Sequence, residues 1–66
     1  MNWDQVSGNW AQFKGKVRQR WGDLTDDEVQ KSEGQKDVLI GRIQERYGLS
    51  REVAERQLSD WLEKLH

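Results

Sequence analysis

The chain is predicted to be all-α: four short helices forming two tandem, approximately duplicated α-hairpins. Three observations predict this. First, all six glycines fall into two triplets of equal heptad spacing, Gly8, Gly15, Gly22 and Gly34, Gly41, Gly48, the second 26 positions after the first. Second, the residues around them repeat as well. Gly15-Lys-Val-Arg-Gln-Arg-Trp-Gly22 lies against Gly41-Arg-Ile-Gln-Glu-Arg-Tyr-Gly48, and each stretch runs on into a leucine and a hydroxyl residue, Leu24-Thr25 or Leu49-Ser50. Third, the apolar residues recur at helical spacing. Trp3, Val6, Trp10, Phe13, Val17 and Trp21 advance by three or four positions each, one continuous stripe on a helix. An internal repeat of this length means one supersecondary unit per copy, each burying its face against the other.

The first helix is placed near 8–21, and residues 3–7 either extend it or fold back as a separate turn. Trp21-Gly22 reads as its C-terminus, with Gly22 in the left-handed position after the last turn and Leu24 supplying the hydrophobic contact beyond. Thr25-Asp-Asp-Glu28 fits a capping box and opens a second helix near 25–33, the weakest of the four because Val29 is its one strong apolar residue. The third helix, near 35–47, carries Leu39, Ile40, Ile43 and Tyr47 and ends at Gly48 as the first ends at Gly22. Ser50 caps the fourth, near 50–65, without a reciprocal Glu at N3, and Ala54, Leu58, Trp61, Leu62 and Leu65 share its apolar side. Gly15 and Gly41 fall in mid-helix, where glycine costs up to about 1 kcal/mol against alanine. Gly15 lies about 160° round the helix from Val17, and the spacing is read as close backbone contact, inside the hairpin in preference to contact with a partner.

Sixty-six residues make a single domain, 1–66, with repeats at about 8–33 and 34–66. A chain this short buries only about 60% of its unfolded surface. With 35% charged residues, 33% hydrophobic residues and a mean hydropathy of −1.11, the composition approaches that of disordered chains. Four tryptophans argue for a folded core, since each can bury a large area. The absence of cysteine excludes disulfides, thiol nucleophiles and thiolate metal sites. The start, Met1-Asn2-Trp3-Asp4, has no basic or apolar leader pattern, and no apolar run exceeds Val38-Leu39-Ile40. A cytoplasmic protein with no membrane association is expected. The net charge of −1 and pI near 5.7 provide no global attraction to nucleic acid or acidic lipid.

Few residues invite a chemical reading. Lys14, Lys16, Arg18 and Arg20 form a local basic run with no acid between Asp4 and Asp23, flanked by Trp10 and Trp21. They are the candidate interaction surface. Helical spacing spreads them over more than half the circumference, however, and cations late in one helix followed by anions early in the next suit both helix dipoles, so a solvated face is the favoured reading. The acidic cluster Asp23, Asp26, Asp27 and Glu28 lacks the alternating ligands, central glycine and distal Glu of an EF-hand loop; capping explains it better. The sole histidine is His66. No catalytic, metal or cofactor residue is assigned, and no cofactor is expected. Trp10, Trp21 and Trp61 occupy core-facing positions, and Trp3 is the one tryptophan whose exposure is left open.

Trp3-Asp4, Gly8-Asn9-Trp10, Phe13-Lys14-Gly15-Lys16, Trp21-Gly22-x-Leu24-Thr25-Asp26-Asp27, Gly34, Asp37-x-Leu39-x-Gly41-x-Ile43-Gln44, Tyr47-Gly48, Ala54-Glu55 and Trp61 together resemble the bacterial CsbD-like family over essentially the whole chain. The resemblance implies a small cytoplasmic helical protein of the general stress response, with two orthogonally packed hairpins of the SAM-like type. The family has no established catalytic or ligand-binding residues to carry over. The polar, glycine-containing composition is also similar to that of hydrophilins. The leading expectation is therefore a non-enzymatic, monomeric interaction or protective module with an unidentified protein partner. The alternative is a weak nucleic-acid binder using the basic first helix.

Overall fold

The computed structural model describes residues 1–65; His66 lies outside the described residues. Those residues are all-helical, without a strand, and form five helices rather than four: α1 (Trp3–Gly8), α2 (Trp10–Arg20), α3 (Asp26–Ser32), α4 (Lys36–Tyr47) and α5 (Arg51–Lys64).

The additional helix arises from a break at Asn9. Asn2 opens α1 with a capping box: its Oδ1 accepts from Gln5 N at 2.9 Å and its own N–H donates to Gln5 Oε1 at 3.2 Å. Six residues later Gly8 and Asn9 are both poor helix formers. The Asn9 side chain donates to Gln5 O at 3.0 Å while its backbone sits at φ −122°, ψ 40°, so the local polar contact competes with helix continuation. The break lets α1 fold back. Trp3 is half-buried rather than exposed: its indole Nε1 donates to Gly34 O at 2.8 Å, and its ring lies 5.8 Å from that of Trp10. Trp10 in turn donates to Val29 O at 3.0 Å, so two indoles attach the N-terminal segment to α3 and the α3–α4 turn.

The helix ends follow local chemistry, with one correction. Gly48 has φ 63° and Leu49 N–H reaches back to Gln44 O at 3.2 Å, the expected Schellman closure. Gly22 does not share it, because its φ is not positive. The first helix instead stops at Trp21 (φ −121°, ψ 76°). A turn closed by Leu24 N–H to Trp21 O at 3.1 Å follows, and Arg18 Nε donates to Leu24 O at 2.9 Å. Left-handed residues appear instead at the junction of the two copies, at Glu33 (φ 51°) and Gly34 (φ 75°). There a Cβ on Gly34 would stand 2.9 Å from Ser7 Cβ and 3.0 Å from Ser7 Cα, so α1 packs directly on that glycine. The close contact expected at Gly15 and Gly41 is absent: a Cβ on either meets nothing within 4 Å. Thr25 and Glu28 form the expected capping box, and Ser50 Oγ accepts from Val53 N at 3.2 Å.

Helix α2 packs on α1 and α3, and α4 on α3 and α5. Their apolar faces meet in one core. Val6, Phe13, Val17, Trp21, Leu24 and Val29 enter it from the first half, and Leu39, Ile40, Ile43, Ala54, Leu58, Trp61 and Leu62 from the second. Trp21 is fully buried; its ring lies 5.6 Å from Trp61 at a 60° tilt, and its Nε1 donates to Gln57 Oε1 at 3.2 Å. The Tyr47 hydroxyl, from the matching position of the second copy, accepts from Asp23 N at 3.1 Å. Glu28, only 12% exposed at its side chain, holds Arg46 at 2.7 Å and ties α3 to α4.

Two predictions follow from these contacts. Thermal melts of Gly34→Ala should show a large loss of stability, whereas Gly15→Ala should gain up to about 1 kcal/mol and Gly22→Ala should be tolerated. A stable Gly34→Ala protein, or a weakened Gly15→Ala protein, would contradict these backbone assignments. The hydrogen bond from Arg46 holds the Glu28 carboxyl below the ordinary carboxylate range, against the opposing effect of burial. A lowered folded pKa contributes stability above the unfolded value of about 4.3, and that stability is lost as pH falls through the folded value. Glu28→Gln should therefore melt below the parent at neutral pH, with the gap closing as both are taken to about pH 2. A gap that stays constant across that range would contradict the role given to the Glu28 charge.

Candidate functional site

The basic run on α2 does not act as one patch. Arg18 is turned inward: besides its bond to Leu24 O, it pairs with Asp26 and so holds the α2–α3 turn. Lys14 is half-buried and away from the other cations' common surface. Lys16 and Arg20, one helical turn apart, share a face. With Gln19 they form one wall of an open groove of about 480 Å³, and Trp61 and Lys64 of α5, with Leu65 just past its end, form the other.

Helix packing produces this groove. Trp21 and Trp61 close on each other in the core, which brings the C-terminal ends of α2 and α5 within side-chain reach. Lys16 and Arg20 precede Trp21 on one helix, and Lys64 and Leu65 follow Trp61 on the other. The aromatic surfaces support the cations. Lys16 Nζ lies 5.3 Å from the Phe13 ring centroid, and the Arg20 guanidinium carbon lies 5.1 Å from that of Trp21. Trp61 leaves 7% of its surface uncovered and Leu65 is half-buried, so the lining is apolar as well as basic.

None of the six lining residues is acidic. Elsewhere on the described surface, cations are mostly matched: Arg18, Lys31, Arg42, Arg46, Arg51 and Arg56 all sit in ion pairs. Lys14, Lys16, Arg20, Lys36 and Lys64 do not, and three of those five line the groove. Sequence reasoning found Lys16 and Arg20 but missed Lys64, Trp61 and Leu65 as their neighbours. The spacing of Trp61, Lys64 and Leu65 marks one helix face, but no local signal places that face beside α2.

The acidic cluster is engaged in the fold. Asp26 pairs with Arg18, Asp27 with Lys31 at 3.0 Å and Glu28 with Arg46, while Glu28 also completes the Thr25 capping box. Among the described residues no group of three or more His, Cys, Asp or Glu side chains could hold a metal ion, and no helix is long and apolar enough to cross a membrane.

Comparison with known proteins places the sequence in a family. A family model described as CsbD-like matches residues 4–56. A UPF0337 protein of Pectobacterium atrosepticum is 57% identical over 61 residues, covering 92% of this chain and 88% of the relative. The UPF0337 protein YjbJ of Escherichia coli K12 is 54% identical over the same shares of both chains. A UPF0337 protein of Pseudomonas aeruginosa is 48% identical over 65 residues, covering 98% of this chain and all of the relative. No solved structure matches significantly.

Proposed function

The chain belongs to the CsbD-like family, and from that premise we propose that it is a non-enzymatic interaction module of the bacterial general stress response, acting in the cytoplasm through the α2–α5 groove. One observation carries the reading: Lys16, Arg20 and Lys64, which form no ion pair among the described residues, line one groove together with Trp61 and Leu65. Cations that form no ion pair among the described residues, beside Trp61 and Leu65, suit an incoming anionic ligand better than they suit the stability of the free chain.

The family likeness supports the stress-response assignment. The pairing of α2 with α3 and of α4 with α5, together with the repeated sequence, supports a single domain of two tandem hairpins in a SAM-like arrangement. The nucleic-acid alternative loses support, because Arg18 is engaged at the turn and the net charge is negative.

Survival after drying or osmotic upshift tests the reading in a bacterial host whose own copy has been replaced. Lys16→Glu/Arg20→Glu/Lys64→Glu should lose protection while remaining folded, and Trp21→Ala, which empties the core, should lose it too. Protection retained by the charge-reversed protein would remove the groove. Protection retained by both would mean that bulk hydration by a polar chain accounts for the effect.

A further inference from the structure

We propose that the occupant of the α2–α5 groove is a short acidic peptide segment of a partner protein, anchored by an apolar side chain. This deepens the reading of the groove as an interaction surface and rests on it. Positive charge stands on both walls of the groove. Lys16 and Arg20 stand on the α2 wall and Lys64 on the α5 wall, so an anionic group entering between them meets cations from both sides. Separated by one helical turn, Lys16 and Arg20 lie roughly 6 Å apart at their bases, a spacing that suits successive carboxylates on an extended or helical segment. Arg20 can take a carboxylate in a bidentate fork, and the two lysines act as point charges.

The lining supplies the second half of the recognition. The uncovered edge of Trp61 and the half-buried Leu65 offer an apolar contact between the charged walls. A ligand made only of charge would leave that contact unused. The groove volume, about 480 Å³, falls in the range that accommodates a few side chains.

Gln19 separates a peptide from other anionic ligands. Its carboxamide both donates and accepts, and it lines the same wall as the two α2 cations. A peptide backbone presents both an N–H and a C=O to such a group. A phosphodiester backbone or a lipid headgroup layer presents mainly acceptors. Extended anionic surfaces are also disfavoured by what surrounds the groove: Asp60 and Glu63 are exposed on α5 within a turn of Lys64, and the whole chain carries a net charge of −1. A confined acidic segment can engage the three cations without running along those carboxylates.

Titration of the full chain with the peptide acetyl-Glu-Glu-Leu-Phe-Glu-Asp-Leu-Glu-amide, followed by the Trp61 indole N–H resonance, tests the proposal. The peptide should shift that resonance and bind at least about tenfold more tightly than a version with Ser in place of Leu and Phe, a ratio equal to about 1.4 kcal/mol. Lys16→Glu/Arg20→Glu/Lys64→Glu should weaken binding by at least the same factor, and added salt should weaken it further. Melting curves establish that the variant is folded, and Lys64→Gln alone gives a milder second variant in which binding should still fall. No shift at Trp61, equal affinity for the Ser control, or tighter binding of oligothymidylate or phosphatidylglycerol vesicles would each overturn the proposal. If the peptide fails while charge reversal still abolishes protection in cells, the occupant is wrong and the groove stands. If charge reversal has no effect in cells, the groove reading itself falls.

Discussion

The burial of Trp21 is the constraint on which the rest of the structure depends. In a 66-residue chain with 33% hydrophobic residues there is little apolar surface to spare, and a single indole contributes a large share of what can be removed from water. Trp21 lies at the C-terminal end of α2, is fully covered, and touches the second half of the molecule through Trp61 and Gln57. Its ring fills space between the halves, and its N–H has a partner, so no buried donor is left unsatisfied. Removing a core group of this size costs about 3–5 kcal/mol, comparable to the whole stability expected of so small a domain.

The same contact makes the surface feature. Because Trp21 and Trp61 meet, the C-terminal ends of α2 and α5 come within side-chain reach, and Trp61 with the residues that precede Trp21 and follow Trp61 forms the walls of a groove. Core packing therefore fixes where Lys16, Arg20 and Lys64 stand. Six other basic residues sit in ion pairs, and three of these tie elements together: Arg18 closes the α2–α3 turn, Arg46 joins α4 to Glu28, and Arg51, in the first turn of α5, joins Asp37 in the first turn of α4. Exposed pairs of this kind contribute little stability individually. Their consequence for function is that they leave the groove as the place where unmatched positive charge and apolar surface coincide.

Local chemistry made much of this legible. The Thr25–Glu28 capping box, the Ser50 cap, the Gly48 closure and the apolar faces of α4 and α5 depend on residues within a few positions of one another, and each formed as the spacing required. The misreadings share a different cause. Asn9 breaks the first helix through its own side chain, a competition that apolar periodicity cannot register. Repeat symmetry suggested that Gly22 should behave as Gly48 does, but Leu24 and Arg18 close that turn by another route. The glycine demanded by close packing is Gly34, and the atoms that demand it belong to Ser7, 27 positions away and invisible to any local pattern. The groove escaped for the same reason: half its lining comes from α2 and half from α5, and only the tertiary fold joins them.

Hydrogen exchange at the Trp21 indole N–H tests this dependence most directly. If Trp21 is the element that closes the two halves, its N–H should exchange only through global opening, with an opening free energy equal to that from denaturant unfolding of the whole chain. Exchange at the rate of an exposed indole, while the helices stay intact, would show that the halves hold together without it.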